Sequence, residues 1–397
     1  MLNIKYTTGY AGTGKSTKLI KLVNKLPLDT LVVIAPTHKA LNRLREHLPD
    51  GTEIKTIHAL LGWIPMINES AQIVEHIDAT YRLDKPLNEY INIVIDEAGM
   101  MSEDMLYDIT SKIEEQIGYE ENSRPVTIHC YLDPYQLLPV KGTQIQTDSD
   151  ATTNLTTQYR SESPDVVALY TKFVEYQIGT NTDDLSTPYS DNVRPFDITK
   201  FKEGDRLLAY TNKAVGEWNK KIAKQLGVTS YIGQDVQLGN MVDLVKVENF
   251  VVPTLTQLIA WHESGTLQLQ NSQINKKFLK QSLSALISNK DIQFIMSDIH
   301  NIYPVIVGIH KGKQALQKAK EAAIEDKKKF VAVYALGRAY VMDYSYATTV
   351  HRSQGSEFDT VFIDKKDIQK SIFNGSYANY ARLMYVAISR SKKIIFI

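Results

Sequence analysis

An α/β architecture with parallel sheets is the fold class that this sequence predicts, on three observations. Ile4–Thr8 can form a short buried strand, a glycine-rich loop follows it, and apolar residues then recur at helical spacing to Leu26. Leu31–Ala35 is a continuous apolar run, which is typical of a buried parallel strand, and Val126–Leu132 is a further apolar strand. These runs end in polar residues, and open α/β sheets bind ligands at the carboxyl ends of their strands. We therefore expect the functional site along that edge.

The glycine-rich loop is the most specific feature of the chain. It has the pattern G-x-x-x-x-G-K-S and reads Gly9, Tyr10, Ala11, Gly12, Thr13, Gly14, Lys15, Ser16, Thr17. Its glycines let successive backbone N–H groups and the helix N-terminus point at phosphate oxygens. We expect Lys15 to reach the β- and γ-phosphates of a nucleoside triphosphate and Ser16 to hold Mg²⁺. The alternative is a loop that binds nothing, but a lysine within a glycine turn has no structural purpose.

Polar residues after two further strands fit the same site. Asp96 and Glu97 follow the apolar strand Ile91–Ile95, where uncompensated carboxylates are costly. Asp96 is expected to hold Mg²⁺, and Glu97 to polarise the attacking water. A surface acidic pair is the alternative. After the strand that ends at Leu132, Gln136 can sense a γ-phosphate, or it belongs to a proline-bounded turn that faces water.

Composition limits the class of protein. The chain has 397 residues, enough for two or three domains, and its 43% hydrophobic and 23% charged residues are ordinary for a soluble globular protein. Its one cysteine, Cys130, lies in an apolar run, so packing in a reducing compartment is expected. The sequence predicts neither a membrane span nor a signal peptide. The net charge is zero, so a nucleic acid would need a locally basic groove.

The second half of the chain continues the α/β pattern and then changes. Arg160 precedes a helix that begins near Pro164, and Arg390 follows the predicted helix Ala381–Ile388. For either arginine alone, a surface ion pair is the alternative to a role in the site. Short alternating stretches between residues 231 and 340 predict small β structure. The predicted helix Lys311–Lys329 is rich in lysine, which indicates a solvated face or contact with a phosphate backbone.

Eight motifs in order resemble those of superfamily 1 helicases, and most closely the RecD-like and Dda-like branch. They are Gly9–Thr17, Ala35–His38, Thr56–His58, Asp96–Ala98, Asp133–Gln136, Tyr159–Ser161, Thr349–Glu357 and Val386–Arg390. The resemblance implies two RecA-like cores with parallel sheets and ATP bound between them. The implied domains are a first core (1–55 and 91–150), a small insertion (56–90), a second core (151–235 and 341–397) and an accessory insertion (236–340).

The resemblance also assigns roles to residues. Arg160 and Arg390 would project from the second core onto the γ-phosphate, while Gly355 and Glu357 would touch the nucleotide, with Glu357 near the ribose. The implied DNA contacts are Pro36, Thr37, His38, Thr56 and His58 on the first core, and Thr349 and His351 on the second. The small insertion would carry a strand-separating wedge, for which the apolar candidates are Trp63, Ile64 and Tyr81.

The activity implied is that of an ATP- and Mg²⁺-dependent DNA helicase or translocase that moves 5′→3′ on single-stranded DNA. Implied partners are single strands, duplex junctions and proteins of replication, recombination or repair. We expect a cytoplasmic monomer that is encoded by a phage or a plasmid and, if by a phage, acts in the host cytoplasm. Relatives recognise adenine through a glutamine before the phosphate loop, and only eight residues precede Gly9, so we expect other nucleoside triphosphates to serve as well. The alternatives are a nucleic-acid-stimulated ATPase that clamps or remodels without unwinding, and a viral-type RNA helicase.

Overall fold

The structure is a computed structural model of the chain. It describes residues 2–61, 63–67, 73–77, 87–118, 125–139, 142–159, 163–179, 186–238, 244–269, 279–307, 339–374 and 376–397. Unit 1 contains residues 1–195, 353–361 and 368–397, and unit 2 contains residues 196–352 and 362–367. Within the described ranges, no helix has both the length and the apolar character to cross a membrane. The predicted assignment of domains stays a prediction.

Unit 1 is built on a six-stranded parallel sheet. Its strands are β1 (Leu2–Gly9), β2 (Leu31–Ala35), β3 (Glu53–Thr56), β6 (Asn92–Ile95), β7 (Val126–Leu132) and β8 (Thr152–Leu155), in the spatial order β3-β2-β6-β7-β1-β8. Every neighbouring pair is parallel. All five residues of β2 are buried, as its unbroken apolar sequence predicts. The strand predictions for residues 31–35 and 126–132 are confirmed.

Most helices of unit 1 begin after a serine or threonine that caps them, whereas the helix that begins at Lys15 follows Gly14 and has no side-chain cap. The helices are α1 (Lys15–Val23), α2 (His38–Arg45), α3 (Ile57–Leu61), α4 (Glu103–Gly118), α5 (Pro164–Gln177) and α10 (Tyr377–Ile388). At the start of α5, the Ser163 hydroxyl accepts a hydrogen bond from the Val166 N–H, and Pro164 occupies the first turn. The α5 and α10 helices pack together through edge-to-face ring pairs such as Phe173 and Tyr380, whose centroids lie 6.3 Å apart.

The predicted small insertion contains an antiparallel hairpin. Its strands are β4 (Trp63–Ile67) and β5 (Ile73–Ile77), paired from Trp63 opposite Ile77 to Ile67 opposite Ile73. The wedge candidates Trp63 and Ile64 are therefore on β4. Tyr81 lies outside the described residues. Unit 1 also contains the parallel pair β9 (Val193–Arg194) and β18 (Ser391–Phe396).

In unit 2, β10 (Arg206–Ala209) pairs in parallel with β16 (Ala347–Thr349), and α6 (Asn212–Gln225) follows β10. The buried Asp367 carboxylate accepts hydrogen bonds from the backbone N–H groups of Tyr210 and Thr211, at 2.9 and 2.7 Å. This carboxylate therefore fixes the turn from strand to helix, because it satisfies donors that the sheet leaves unpaired. The strand β17 (Phe358–Ile363) and the helix α9 (Lys365–Asn374) each contain residues of both units.

The β structure predicted between residues 231 and 340 is a closed barrel. Its strands are β11 (Asp235–Leu238), β12 (Val245–Val251), β13 (Gln293–Ser297), β14 (Ile302–Val307) and β15 (Tyr340–Tyr344). Two helices, α7 (Leu255–Glu263) and α8 (Leu279–Ser288), pack through an apolar cluster that includes Leu258, Leu283 and Phe294. The lysine-rich helix predicted over 311–329 lies outside the described residues.

Candidate nucleotide and nucleic-acid site

The predicted phosphate loop joins β1 to α1. Its nine residues, Gly9 to Thr17, comprise the last residue of β1, the turn and the first part of α1. Gly12 and Gly14 have φ values of 83° and 81°, a left-handed conformation in which glycine has no Cβ penalty. The Lys15 ammonium donates hydrogen bonds to the carbonyl oxygens of Gly9 and Tyr10, at 2.7 and 2.8 Å. Its charge is thereby held inside the loop, the position required for binding phosphates.

The acidic pair lies at the carboxyl end of β6. Asp96 is buried, with 7% of its surface exposed, and burial together with the Glu97 charge raises its pKa to about 7, against the opposing effects of Arg43 and Lys15. Glu97 has a φ of 50°, an uncommon conformation for a residue with a side chain. Two adjacent carboxylates that repel each other in a buried place suit a divalent cation, and oxygen ligands suit Mg²⁺. The residues present therefore fit the predicted metal.

Asp133, which follows β7, connects several residues of the site. Its Oδ2 lies 3.7 Å from the Lys15 ammonium and accepts hydrogen bonds from the Gln136 amide, at 3.3 Å, and from the Tyr385 hydroxyl, at 2.6 Å. Its Oδ1 accepts the Tyr135 N–H. Gln136 and Lys15 thus both lie beside one oxygen of Asp133, and their predicted roles at the phosphates stay predictions. The structure also adds Tyr385, which sequence reasoning missed.

Two residues of α10 contact the loops that follow β1 and β7. The Arg382 guanidinium donates to the carbonyl oxygens of Pro134 and Gln136, at 2.8 and 2.6 Å. The Tyr385 hydroxyl accepts the Ala11 N–H at 2.7 Å. Arg382 and Tyr385 are three positions apart on one helical face. Arg382, a charged residue within an apolar helix, was the one available signal.

The segment before α5 contacts the phosphate loop from another direction. The Gln158 amide donates to the Ala11 carbonyl oxygen at 2.7 Å, and the Tyr159 N–H donates to that of Gly12 at 2.8 Å. The Tyr159 side chain is 74% exposed and lies beside Gly14. Arg160, the next residue and a predicted catalytic arginine, lies outside the described residues.

Arg390, the other predicted catalytic arginine, is 1% exposed. Its guanidinium donates to the carbonyl oxygens of Val386 and Ser356, at 3.1 and 3.3 Å, and to the Ser389 hydroxyl at 3.0 Å. Burial and the Asp133 carboxylate raise the pKa of the Tyr385 hydroxyl, and the positive charge of Arg390 opposes this rise.

The predicted nucleotide-contact residues Gly355 and Glu357 lie in a loop of unit 1. Gly355 has a φ of 73°. The Glu357 carboxylate binds the Arg43 guanidinium at 2.8 Å, and its second oxygen lies 3.6 Å from the Lys392 ammonium. Glu357 thus lies beside α2, whose Arg43 also acts electrostatically on Asp96.

The candidate DNA contacts of unit 1 lie at one edge of its sheet. Pro36, Thr37 and His38 follow β2, and Thr56 ends the neighbouring strand β3, with His58 two residues further on. Because β2 and β3 are parallel neighbours, the topology places both groups together.

The threonine hydroxyls at this edge also cap helices. Thr37 accepts the Ala40 N–H at 3.2 Å, and Thr56 accepts the Ala59 N–H at 3.1 Å. The caps fix the direction of both side chains. Their predicted contact with DNA stays a prediction.

The candidate DNA contacts of unit 2 also lie at or just after the carboxyl ends of neighbouring parallel strands. Thr349 ends β16, beside the end of β10, and its hydroxyl accepts the Arg352 N–H at 3.3 Å. The His351 ring lies 6.0 Å from the Tyr210 ring. The pair is a candidate aromatic surface on which a nucleobase can stack.

Comparisons with known proteins agree with this geometry. Residues 3–136 match the family described as an AAA domain, and residues 344–397 match the UvrD-like helicase C-terminal domain. An uncharacterized protein of Acanthamoeba polyphaga mimivirus is 23% identical over 482 residues, covering 98% of this chain and 94% of that protein.

Two solved structures share the fold. The Pif1 helicase from Candida albicans aligns with a TM-score of 0.53 and 17% identity, over 99% of this chain and 90% of that one. Bacteroides Pif1 bound to ssDNA aligns with a TM-score of 0.52 and 17% identity, over 99% and 88%. This likeness confirms the predicted fold class, with two RecA-like cores built on parallel sheets. The two domain matches agree with the phosphate loop and with the resemblance of the sequence to superfamily 1 helicases, and they support an ATP-dependent hydrolase of the helicase class.

Proposed function

We propose that this protein moves 5′→3′ along single-stranded DNA and couples ATP hydrolysis to strand separation, as in the RecD-like and Dda-like branch. The observation that carries the proposal is the convergence of Lys15, Asp96 and Gln136 at the carboxyl ends of three strands of one sheet. Similarity to a Pif1 structure bound to ssDNA supports the choice of nucleic acid.

Each residue of the site has its own proposed role in ATP hydrolysis. Lys15 and the loop N–H groups would bind the nucleotide phosphates, while Ser16 and Asp96 would hold Mg²⁺. When bound, Mg²⁺ supplies positive charge to the phosphate oxygens. Glu97 would orient the attacking water, and Gln136 would contact the γ-phosphate. We propose the residues Arg160 and Arg390 as the cations that stabilise the transferring phosphoryl group.

Movement requires contacts with the strand on more than one element. Pro36, Thr37, His38, Thr56 and His58 are proposed to hold DNA in unit 1, and Thr349 and His351 in unit 2. If the two sets bind the strand alternately during each ATP cycle, the strand advances.

The β4–β5 hairpin is proposed as the wedge that meets the duplex. Displacing each base pair works against stacking of about 1.4 kcal/mol. The protein is proposed to act as a monomer at single-strand and duplex junctions, with partners in replication, recombination or repair.

Strand separation on tailed duplexes tests this proposal. Two duplexes of identical sequence carry either a 5′ or a 3′ single-stranded DNA tail, and only the 5′-tailed one is expected to open with ATP and Mg²⁺. Opening of the 3′-tailed duplex alone would contradict the direction. If neither opens but single strands stimulate hydrolysis, the protein is an ATPase clamp or translocase. Stimulation by RNA in place of DNA would indicate an RNA helicase.

Replacing Arg390 by lysine separates its proposed catalytic role from its structural one. Lysine keeps the charge but lacks the planar fork of donors. We expect the nucleotide Kd to change by less than about threefold and kcat to fall at least about 100-fold, in line with arginine cations in phosphoryl transfer. The exposed Arg194, replaced by lysine, is the matched control. Normal turnover with a lowered melting temperature would assign Arg390 to structure alone.

A further inference from the structure

The buried hydroxyl of Tyr385 lies between an anion and the phosphate loop. It donates to Asp133 Oδ2 at 2.6 Å and accepts the Ala11 N–H at 2.7 Å. Burial and the Asp133 carboxylate raise the Tyr385 pKa well above its ordinary value, so the hydroxyl stays protonated and remains a donor. One side chain therefore ties the loop after β1 to the loop after β7.

Asp133 Oδ2 also attracts Lys15. The Lys15 ammonium lies 3.7 Å from this oxygen, which is farther than the 2.7 Å of its hydrogen bond to the Gly9 carbonyl oxygen. The Asp133 side chain is fully buried and the Lys15 side chain is 10% exposed, so water screens the attraction between these opposite charges only weakly. The Tyr385 hydroxyl already donates to the same oxygen at a shorter distance, which reduces its capacity to draw Lys15 away from the loop.

We propose that Tyr385 is a positioning residue for the phosphate loop. Its hydroxyl fixes the Ala11 amide and satisfies Asp133, which leaves the Lys15 ammonium available to nucleotide phosphates. The inference rests on the proposed nucleotide site and adds to it a residue that contacts neither nucleotide nor metal in that scheme.

The surroundings of Tyr385 hold its ring in place. The Tyr170 ring meets it edge-on, with centroids 5.7 Å apart. Gln158 donates both to the Tyr170 hydroxyl and to the Ala11 carbonyl oxygen. The N–H and C=O of Ala11 are therefore held by one network of side chains from α5, α10 and the segment before α5.

The Tyr385→Phe variant removes the hydroxyl and keeps the ring. We expect the Kd for a fluorescent mant-ATP with Mg²⁺ to rise about tenfold, because Asp133 then draws Lys15 and the Ala11 amide loses its acceptor; tenfold corresponds to about 1.4 kcal/mol. Tyr380→Phe is the matched control, since it removes a hydroxyl from the same helix at a ring that packs on Phe173. Its Kd should stay within about twofold of the wild type.

A double-mutant cycle with Asp133→Asn separates positioning from structure. Without the carboxylate charge, Lys15 is not drawn away, so the effect of Tyr385→Phe should shrink to about threefold or less. Asp133→Asn alone should bind mant-ATP no more weakly than the wild type, which tests the proposal even if Tyr385→Phe fails to fold. An undiminished effect in the Asn background, equal effects of the two Phe variants, or a lower melting temperature at unchanged Kd would overturn it. Failure of the wild type to bind mant-ATP would instead overturn the proposed nucleotide site.

Discussion

A Lys15→Ala variant is expected to lose ATP hydrolysis by at least about a hundredfold while it retains single-stranded DNA binding. The Lys15 ammonium lies inside the loop, bonded to the carbonyl oxygens of Gly9 and Tyr10, and alanine leaves no cation there for phosphate oxygens. The proposed DNA contacts come from other elements, so they remain. Phosphate release in the presence of single strands measures the first effect, and fluorescence anisotropy of labelled DNA measures the second.

The control for this variant is Lys21→Ala, which removes an exposed lysine from the same helix. It should hydrolyse ATP at close to the wild-type rate. Turnover retained by Lys15→Ala would contradict the assignment of the loop, whereas loss of both turnover and DNA binding would indicate misfolding, which circular dichroism detects.

An Asp96→Asn variant is expected to lose Mg²⁺-dependent hydrolysis and to gain stability at high pH. The pKa of Asp96 is raised from 3.8 to about 7 in the folded protein, so the folded state holds a proton that the unfolded chain has already released between these values. The free energy of unfolding of the wild type therefore falls as pH rises from about 4 to 7. Asparagine cannot ionise, so this variant avoids that loss.

Urea unfolding at pH 5 and pH 8 in EDTA measures the second effect. The stability advantage of Asp96→Asn should be larger at pH 8 than at pH 5 by about 3 kcal/mol, because about two pH units separate pH 5 from the folded-state pKa of about 7 and each unit corresponds to about 1.4 kcal/mol. Asp104→Asn, at an exposed position of α4, serves as the control and should show no such difference. An advantage that is the same at both pH values would contradict the buried, proton-holding state of Asp96.

The sequence could predict the phosphate loop and the acidic pair because their chemistry is local. Lys15 lies six residues from Gly9, and Glu97 is adjacent to Asp96, so spacing alone carries the information. Apolar strands that are buried on both faces have an equally local pattern, and Leu31–Ala35 is a strand with the predicted limits.

Arg382 and Tyr385 could not be predicted in the same way. Their partners are about 250 to 370 residues away along the chain, and only packing of α10 brings them together. In the sequence, Tyr385 looks like one more large residue in an apolar helix. By contrast, the missed helix α7 had a local signal, since Thr254 and Gln257 form a capping box that the structure shows.

The chain enters and leaves the barrel of unit 2 at adjacent positions. Its first and last strands are antiparallel neighbours, with Val236 opposite Tyr344, and the Tyr346 hydroxyl donates to the side chain of Gln234 just outside them. The two ends of a segment of more than 100 residues are thus side by side. Because both ends of the barrel segment join the rest of unit 2 at adjacent positions, the barrel can be exchanged, enlarged or replaced by a short turn. Such a change need not shift the register between β10 and β16, which precede and follow the barrel along the chain.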